Sequence, residues 1–211
     1  LLKGSHPAFF RRCLGIALLM AALFVPLQVY LGDVSGRQVF HHQPIKLAAL
    51  EAHWDTNTKG GAPFAVIAFP DMETEKNLFA IDIPDGLSLL VTHTFDGKVQ
   101  GLKEFPRKDR PDVFILFWSF RIMVAIGFIL LIVMIWAAVL WRRGRLYQSR
   151  SFLKTLLAIH PLGFLATEFG WITNEVGRQP WLVYRLFRTS GGVSPIPAGN
   201  VIWSLSLFLI I

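Results

Sequence analysis

Cysteine is almost absent: Cys13 is the only one among 211 residues. That excludes an internal disulfide and any multi-cysteine metal site. Charge is scarce too, at 17% of residues, where soluble domains carry about a quarter. Acidic residues are scarcest. There are 14, and 12 of them lie in the single stretch 32–113, leaving only Glu168 and Glu175 elsewhere. Apolar residues make up 53% of the chain. A net charge of +7 raises the question of nucleic acid. The basic residues cluster beside apolar runs, however, where membrane topology accounts for them. No nucleic-acid partner is expected.

A helix needs about 20 apolar residues to cross a hydrocarbon core about 30 Å thick. Residues 13–31, 114–141 and 152–172 meet that length, and Pro26 is tolerable inside the first. Residues 201–211 are apolar but cover only about half the core at about 1.5 Å per residue. The fold expected is an all-α integral membrane bundle with three full transmembrane helices, one truncated helix and a long extracytoplasmic loop. Four segments follow: 1–31, 32–113, 114–175 and 176–211. Leu1 stands where an initiator Met would, and the last apolar run is short, so a piece of a longer protein is expected.

Arg142, Arg143, Arg145, Arg150 and Lys154 form a short basic connection. The positive-inside rule puts it in the cytoplasm. Lys3, Arg11 and Arg12 then share that side, and 32–113 lies outside with its turn signals at Gly60-Gly61, Pro70-Asp71, Pro84-Asp85-Gly86 and Asp96-Gly97. Arg178, Arg185 and Arg188 also fall outside, against the rule, which calls for anionic partners.

Ionisable groups inside spans are costly and tend to be functional. Arg121 lies about two turns into the second span. Glu168 and Glu175 are seven residues apart on the third, so they share a face with Trp171. That face suits a cavity, a proton path or a cofactor; the plainer reading is ion-paired bundle glue. Met123 in the second span reads as packing on its own. His160, before Pro161, reads as a ligand or a hydrogen-bonded core histidine. His41, His42, His53 and His93 show no regular ligand spacing. In the loop, Pro44 through Trp54 (PIKLAALEAHW) begins with proline and continues with helix formers. Lys46 and Glu51 sit about 140° apart around such a helix. It either holds an amphiphilic ligand at the membrane surface or is an ordinary surface helix.

Three ordered motifs carry a resemblance. Glu175 through Trp181 reads EVGRQPW after Gly170-Trp171; Phe120 through Gly127 reads FRIMVAIG; Lys46 through Glu51 reads KLAALE. FAIDIP at 79–84 and GLKE at 101–104 fall in the same order. Together they resemble subunit I of cytochrome bd-type ubiquinol oxidases over nearly the whole chain. The resemblance implies a terminal oxidase of the aerobic respiratory chain in the bacterial inner membrane, taking electrons from a membrane quinol and reducing O2 to water. It implies a low-spin heme b, a high-spin heme b, and a heme d or a heme b in its place, with a second membrane subunit as partner.

Residue by residue, Met123 resembles the axial ligand of the low-spin heme b, and Glu175 the residue coordinating the high-spin heme b. Arg121, Arg178, Trp171 and Glu168 would stand near the hemes. Lys46 and Glu51 resemble the quinol-binding pair, with Glu51 a candidate proton acceptor. A thioether suits reduced iron, a guanidinium pairs with carboxylates such as propionates, and quinol oxidation needs a base. The family's histidine ligands from earlier helices have no counterpart here, and none of the six histidines is promoted to those roles. GLKE leads almost at once into the next span, as in short-loop members on the cyanide-insensitive side of the family. The competing reading is a transporter or non-catalytic scaffold using Glu168 and Glu175 as an ion path.

Overall fold

The computed structural model describes residues 6–193 and 195–210. Lys3 and Ile211 lie outside them. Among the described residues, three helical stretches are long and apolar enough to cross a membrane: Pro7–His42, Val113–Arg142 and Arg150–Arg178.

Helix α1 (Pro7–His42) starts on a proline and passes through Pro26 without interruption. It continues eleven residues beyond the expected end of the span at 31. At about 1.5 Å per residue it is about 54 Å long, more than a bilayer core requires. The extra turns are polar, and Asp33 and Arg37 pair across one of them at 3.0 Å. The tip of the helix is anchored, because Val39 and Phe40 pack onto the segment that follows.

That segment, expected to be a solvated loop, is instead a folded unit. Helix α2 (Pro44–Leu50) buries Ile45, Leu47, Ala48, Ala49 and Leu50, so it is neither a surface helix nor as long as expected. Strands β1 (Phe64–Asp71) and β2 (Lys76–Ile83) form an antiparallel hairpin that the all-α expectation omits. Asp71 closes its turn by accepting from the Glu73 backbone and the Thr74 hydroxyl. Helix α3 (Gly86–Thr92) packs Leu87 and Val91 against Leu47, Ala62 and Val99. The main core joins α2 and the hairpin to Leu102, Val113, Leu116 and Phe117. Burying each large apolar side chain is worth about 1.5–3 kcal/mol. The unit is therefore held to the membrane helices by the same burial that holds it together.

Helix α4 (Val113–Arg142) is capped by Asp112, whose carboxylate accepts from the Ile115 backbone at 2.9 Å. The third stretch is divided. Helix α5 (Arg150–Ile159) and helix α6 (Leu162–Arg178) are separated by one turn at His160-Pro161, where proline cannot continue the ladder. His160 Nδ1 lies 2.8 Å from the Leu157 carbonyl oxygen, and the ring is exposed and not in a core. Phe152 is buried against Trp136, Val133 and Leu18. Beyond α6, strands β3 (Trp181–Val183) and β4 (Phe187–Arg188) form a second small hairpin. The apolar helix α7 (Ala198–Ile210) follows. Of the three arginines placed against the positive-inside rule, Arg178 pairs with Glu175 and Arg188 with Asp109, as expected. Arg185 lies over the Tyr184 ring instead.

Candidate functional site

Helix α2 is short, starts on Pro44 and consists of good helix formers, so Lys46 in its first turn and Glu51 at its C-cap project in different directions. Lys46 reaches α6 and Glu51 reaches α4. The angle between them thus joins the loop to two different helices. Lys46 Nζ donates to Asn174 Oδ1 at 3.1 Å. The approach is close because position 177 is glycine: a Cβ there would lie 2.8 Å from Lys46 Cε and 3.1 Å from Leu116 Cδ1. Burial, then the neighbouring Arg178 guanidinium, lowers the Lys46 pKa below its ordinary 10.5, while Glu175 acts the other way.

Glu51 and Arg121 form an ion pair with Nη2 to Oε2 at 2.6 Å, side chains only 6% and 10% exposed. Arg121 also donates to the Ala65 carbonyl from Nε at 2.9 Å and Nη2 at 2.7 Å. Its guanidinium lies 4.5 Å from the Phe64 ring centre and 4.6 Å from that of Phe117. One side chain of α4 thereby ties down both α2 and the hairpin. Its freest donor is Nη1, 3.5 Å from Glu51 Oε1.

Met123 sits about half a turn further along α4 and faces α6. Its Sδ would be 3.0 Å from a Cβ at position 170, which is glycine. Gly170 thus leaves the thioether room between the helices. Glu168, Trp171, Glu175 and Arg178 recur along the opposite side of α6, where Trp171 is 63% exposed. The expected shared face is present, and α4 does not cover it. Glu175 Oε2 accepts from Arg178 at 2.5 Å; Glu168 makes no side-chain bond among the described residues. The donors fit heme chemistry: a neutral thioether beside a glycine, and a carboxylate with one oxygen uncommitted on an uncovered helix face beside an exposed Trp171. Gly170 and Glu175 are five residues apart, about 7.5 Å along the axis.

Four features escape the sequence. Asn174 lies directly before the third motif, but nothing marks it as a partner of Lys46. The Ala65 carbonyl depends on the hairpin register. Gly177 is legible only as part of GRQPW. The fourth is a cleft of about 580 Å³ whose walls include Glu51, His53, Trp54, Asn77 and Asp82. Asn77 clamps its wall, accepting from Trp54 Nε1 at 2.9 Å and donating to the Ala52 carbonyl at 3.1 Å. Of the other loop histidines, His41 and His42 end α1 and His93 ends α3.

Comparison with known proteins places the chain in a family. The family described as cytochrome bd terminal oxidase subunit I matches residues 1–211. Cytochrome bd-II ubiquinol oxidase subunit 1 of Escherichia coli (strain K12) is 31% identical over 274 residues, covering 99% of this chain and 53% of that protein. Cytochrome bd ubiquinol oxidase subunit 1 of Bacillus subtilis (strain 168) is 34% identical, covering 99% of this chain and 46% of that protein. The solved bd oxidase from Geobacillus thermodenitrificans superposes with a TM-score of 0.81 at 29% identity, covering 99% of this chain and 48% of its own. The chain spans about half the length of the curated relatives it matches. The transporter or scaffold reading finds no support here. With its apolar helices and three ordered motifs, the chain is a membrane protein and belongs to the cytochrome bd terminal oxidase subunit I family.

Proposed function

We propose that this chain works within an assembled cytochrome bd-type oxidase that oxidises a membrane quinol and reduces O2 to water. One observation carries the reading most. The loop motif is bonded through Lys46 to the helix bearing Glu175, and through Glu51 to the helix bearing Met123. A quinol bound at α2 would therefore sit beside both candidate heme-ligand helices.

The roles follow from chemistry. Lys46, half-buried, offers a donor to a quinol oxygen. The Glu51–Arg121 pair fixes the other end of α2. Met123 is the proposed low-spin heme b ligand and Glu175 the proposed high-spin heme b ligand. Arg121, Arg178, Trp171 and Glu168 line the heme surroundings. When bound, the hemes supply electron transfer and the place of oxygen reduction, with heme d or a heme b as the third group. The folded unit at 43–112 is the quinol-binding segment, on the outer face of the inner membrane. The basic turn at 143–149 faces the cytoplasm. The exposed apolar faces of α1 and α7 suit lipid or a second membrane subunit.

The test uses the assembled oxidase. Lys46→Ala should slow quinol-driven O2 consumption far more than consumption driven by an artificial electron donor. Equal losses with both donors would refute a quinol site at α2. Met123→Leu should remove the low-spin heme b signal from reduced-minus-oxidised spectra; an unchanged signal removes Met123 from that role.

A further inference from the structure

Quinol oxidation must discharge two protons, and both Glu51 oxygens already face the Arg121 guanidinium, at 2.6 and 3.5 Å. A buried acceptor without such a partner stands two residues further along the chain. His53 is 7% exposed, and its Nε2 is buried with no hydrogen-bond partner among the described residues. Buried ring nitrogens are normally satisfied, so an orphaned one points to a role. His53 also lines the cleft that Glu51 lines. The cleft, about 580 Å³ and open to solvent on one side, is roomy enough to hold water. Its rim is exposed and charged, with Asp55, Lys59, Lys76 and Asp82.

We propose that His53 Nε2 is the proton acceptor that carries quinol protons from the Glu51 side of α2 into this cleft. The inference rests on the quinol reading above. In each turnover the quinol's two O–H bonds break and its ring becomes the quinone. Its two electrons would be taken up by the hemes when bound, and two quinols are needed for each O2 reduced to two waters. The two protons pass in turn to Nε2, which is shielded from solvent at rest, and rotation of the ring toward the cleft that His53 lines delivers each to water and out past the charged rim. Glu51 and Arg121 remain paired and hold the geometry.

The titration of His53 supports this role. Burial lowers its pKa from the ordinary 6.5, while a backbone hydrogen bond with Val99 and the Asp55 carboxylate act in the opposite direction. The charged groups around it are Glu51 and Arg121 on the inner side, and Asp55, Lys59, Lys76 and Asp82 on the outer. With the pKa lowered, the ring is neutral at neutral pH and free to accept. As pH falls through that value the ring fills and turnover should fall with it.

His53→Asn and His53→Ala in the assembled oxidase test the relay, with heme absorption spectra reporting assembly. A positioned base contributes about 10²–10⁴ in rate, so His53→Asn should lower quinol-driven kcat about a hundredfold or more. KM and artificial-donor turnover should stay near wild type, and the acid limb of the quinol pH profile should disappear. A pH-indicator dye should show proton release slowed along with quinol oxidation. In His53→Ala, added imidazole should restore both. Wild-type quinol turnover with an unchanged acid limb in His53→Asn overturns the relay. Should neither variant assemble, a wild-type profile without an acid limb overturns it as well. Lys46→Ala and Glu51→Gln separate the two ideas. If they abolish quinol turnover while His53→Asn keeps it, only the relay fails; if they too keep it, the quinol reading fails.

Discussion

Arg121→Gln should loosen α2 from α4, and the size of the effect can be worked out. The substitution leaves the Glu51 carboxylate, only 6% exposed, without its cation. It also strips the Ala65 carbonyl of donors at 2.9 and 2.7 Å. Orphaning one partner of a buried ion pair costs about 3–5 kcal/mol. At about 1.4 kcal/mol per factor of ten, that is roughly 140- to 3,700-fold in the local opening equilibrium. Hydrogen–deuterium exchange of the peptide spanning 43–54 reads it directly, since the Leu47, Glu51 and His53 amides are bonded within that stretch. Glu51→Gln combined with Arg121→Gln leaves two neutral amides. The double variant should keep about tenfold or more of the protection that the single variant loses. Equal loss in single and double variants, or no loss in the single, would refute the view that this pair anchors the segment.

Three further outcomes follow from the contacts. Gly177→Ala would place a Cβ 2.8 Å from Lys46 Cε; overpacking of this kind costs about 1–3 kcal/mol, and quinol-driven turnover should fall while the artificial-donor rate holds. Gly170→Ala would put a Cβ 3.0 Å from Met123 Sδ, so the low-spin heme b band should shift or weaken in difference spectra, more than it does for Gly163→Ala, whose added Cβ meets nothing within 4 Å. Glu75 is held below its ordinary 4.5 by hydrogen bonds from Arg110 and then Arg107. The folded state therefore binds fewer protons there, and the stabilisation exists above about pH 4.5 and is lost as pH falls through the lowered value. Glu75→Gln should lower thermal stability at pH 7, and the difference from wild type should shrink steadily in acid.

The spans are legible in the sequence because an apolar run of bilayer length, nearly free of charge, has little use in water. Chain reversals are legible too: Gly60-Gly61 and Asp96-Gly97 both fall between elements, and Gly61 is forced, since a Cβ there would collide with the Phe95 carbonyl oxygen. The interior of 43–112 is not legible. Its charged residues give it a solvated look, yet Lys103, Arg107 and Arg110 are spent on Asp55 and Glu75, and the Arg110 side chain is itself buried. Beneath them α2 is packed on nearly every side. Glu51 illustrates the limit. Its angle from Lys46 follows from the helix period, but Arg121 lies 70 residues away, and only the fold brings them together. His53 is hidden for the same reason. Its unsatisfied nitrogen exists only because the chain buries it beside a cleft.

The central claim is that the quinol binds at α2, and locating the quinol tests it most directly. A photoreactive quinone analogue, reduced, bound to the assembled oxidase and activated by light, can be mapped by peptide mass spectrometry. With the quinol at α2, label falls on 43–54 and on the facing parts of α4 and α6, near 113–121 and 170–178, and is lost in Lys46→Ala. Label confined to α7 or to the outer strand of the hairpin, and indifferent to Lys46, would contradict it.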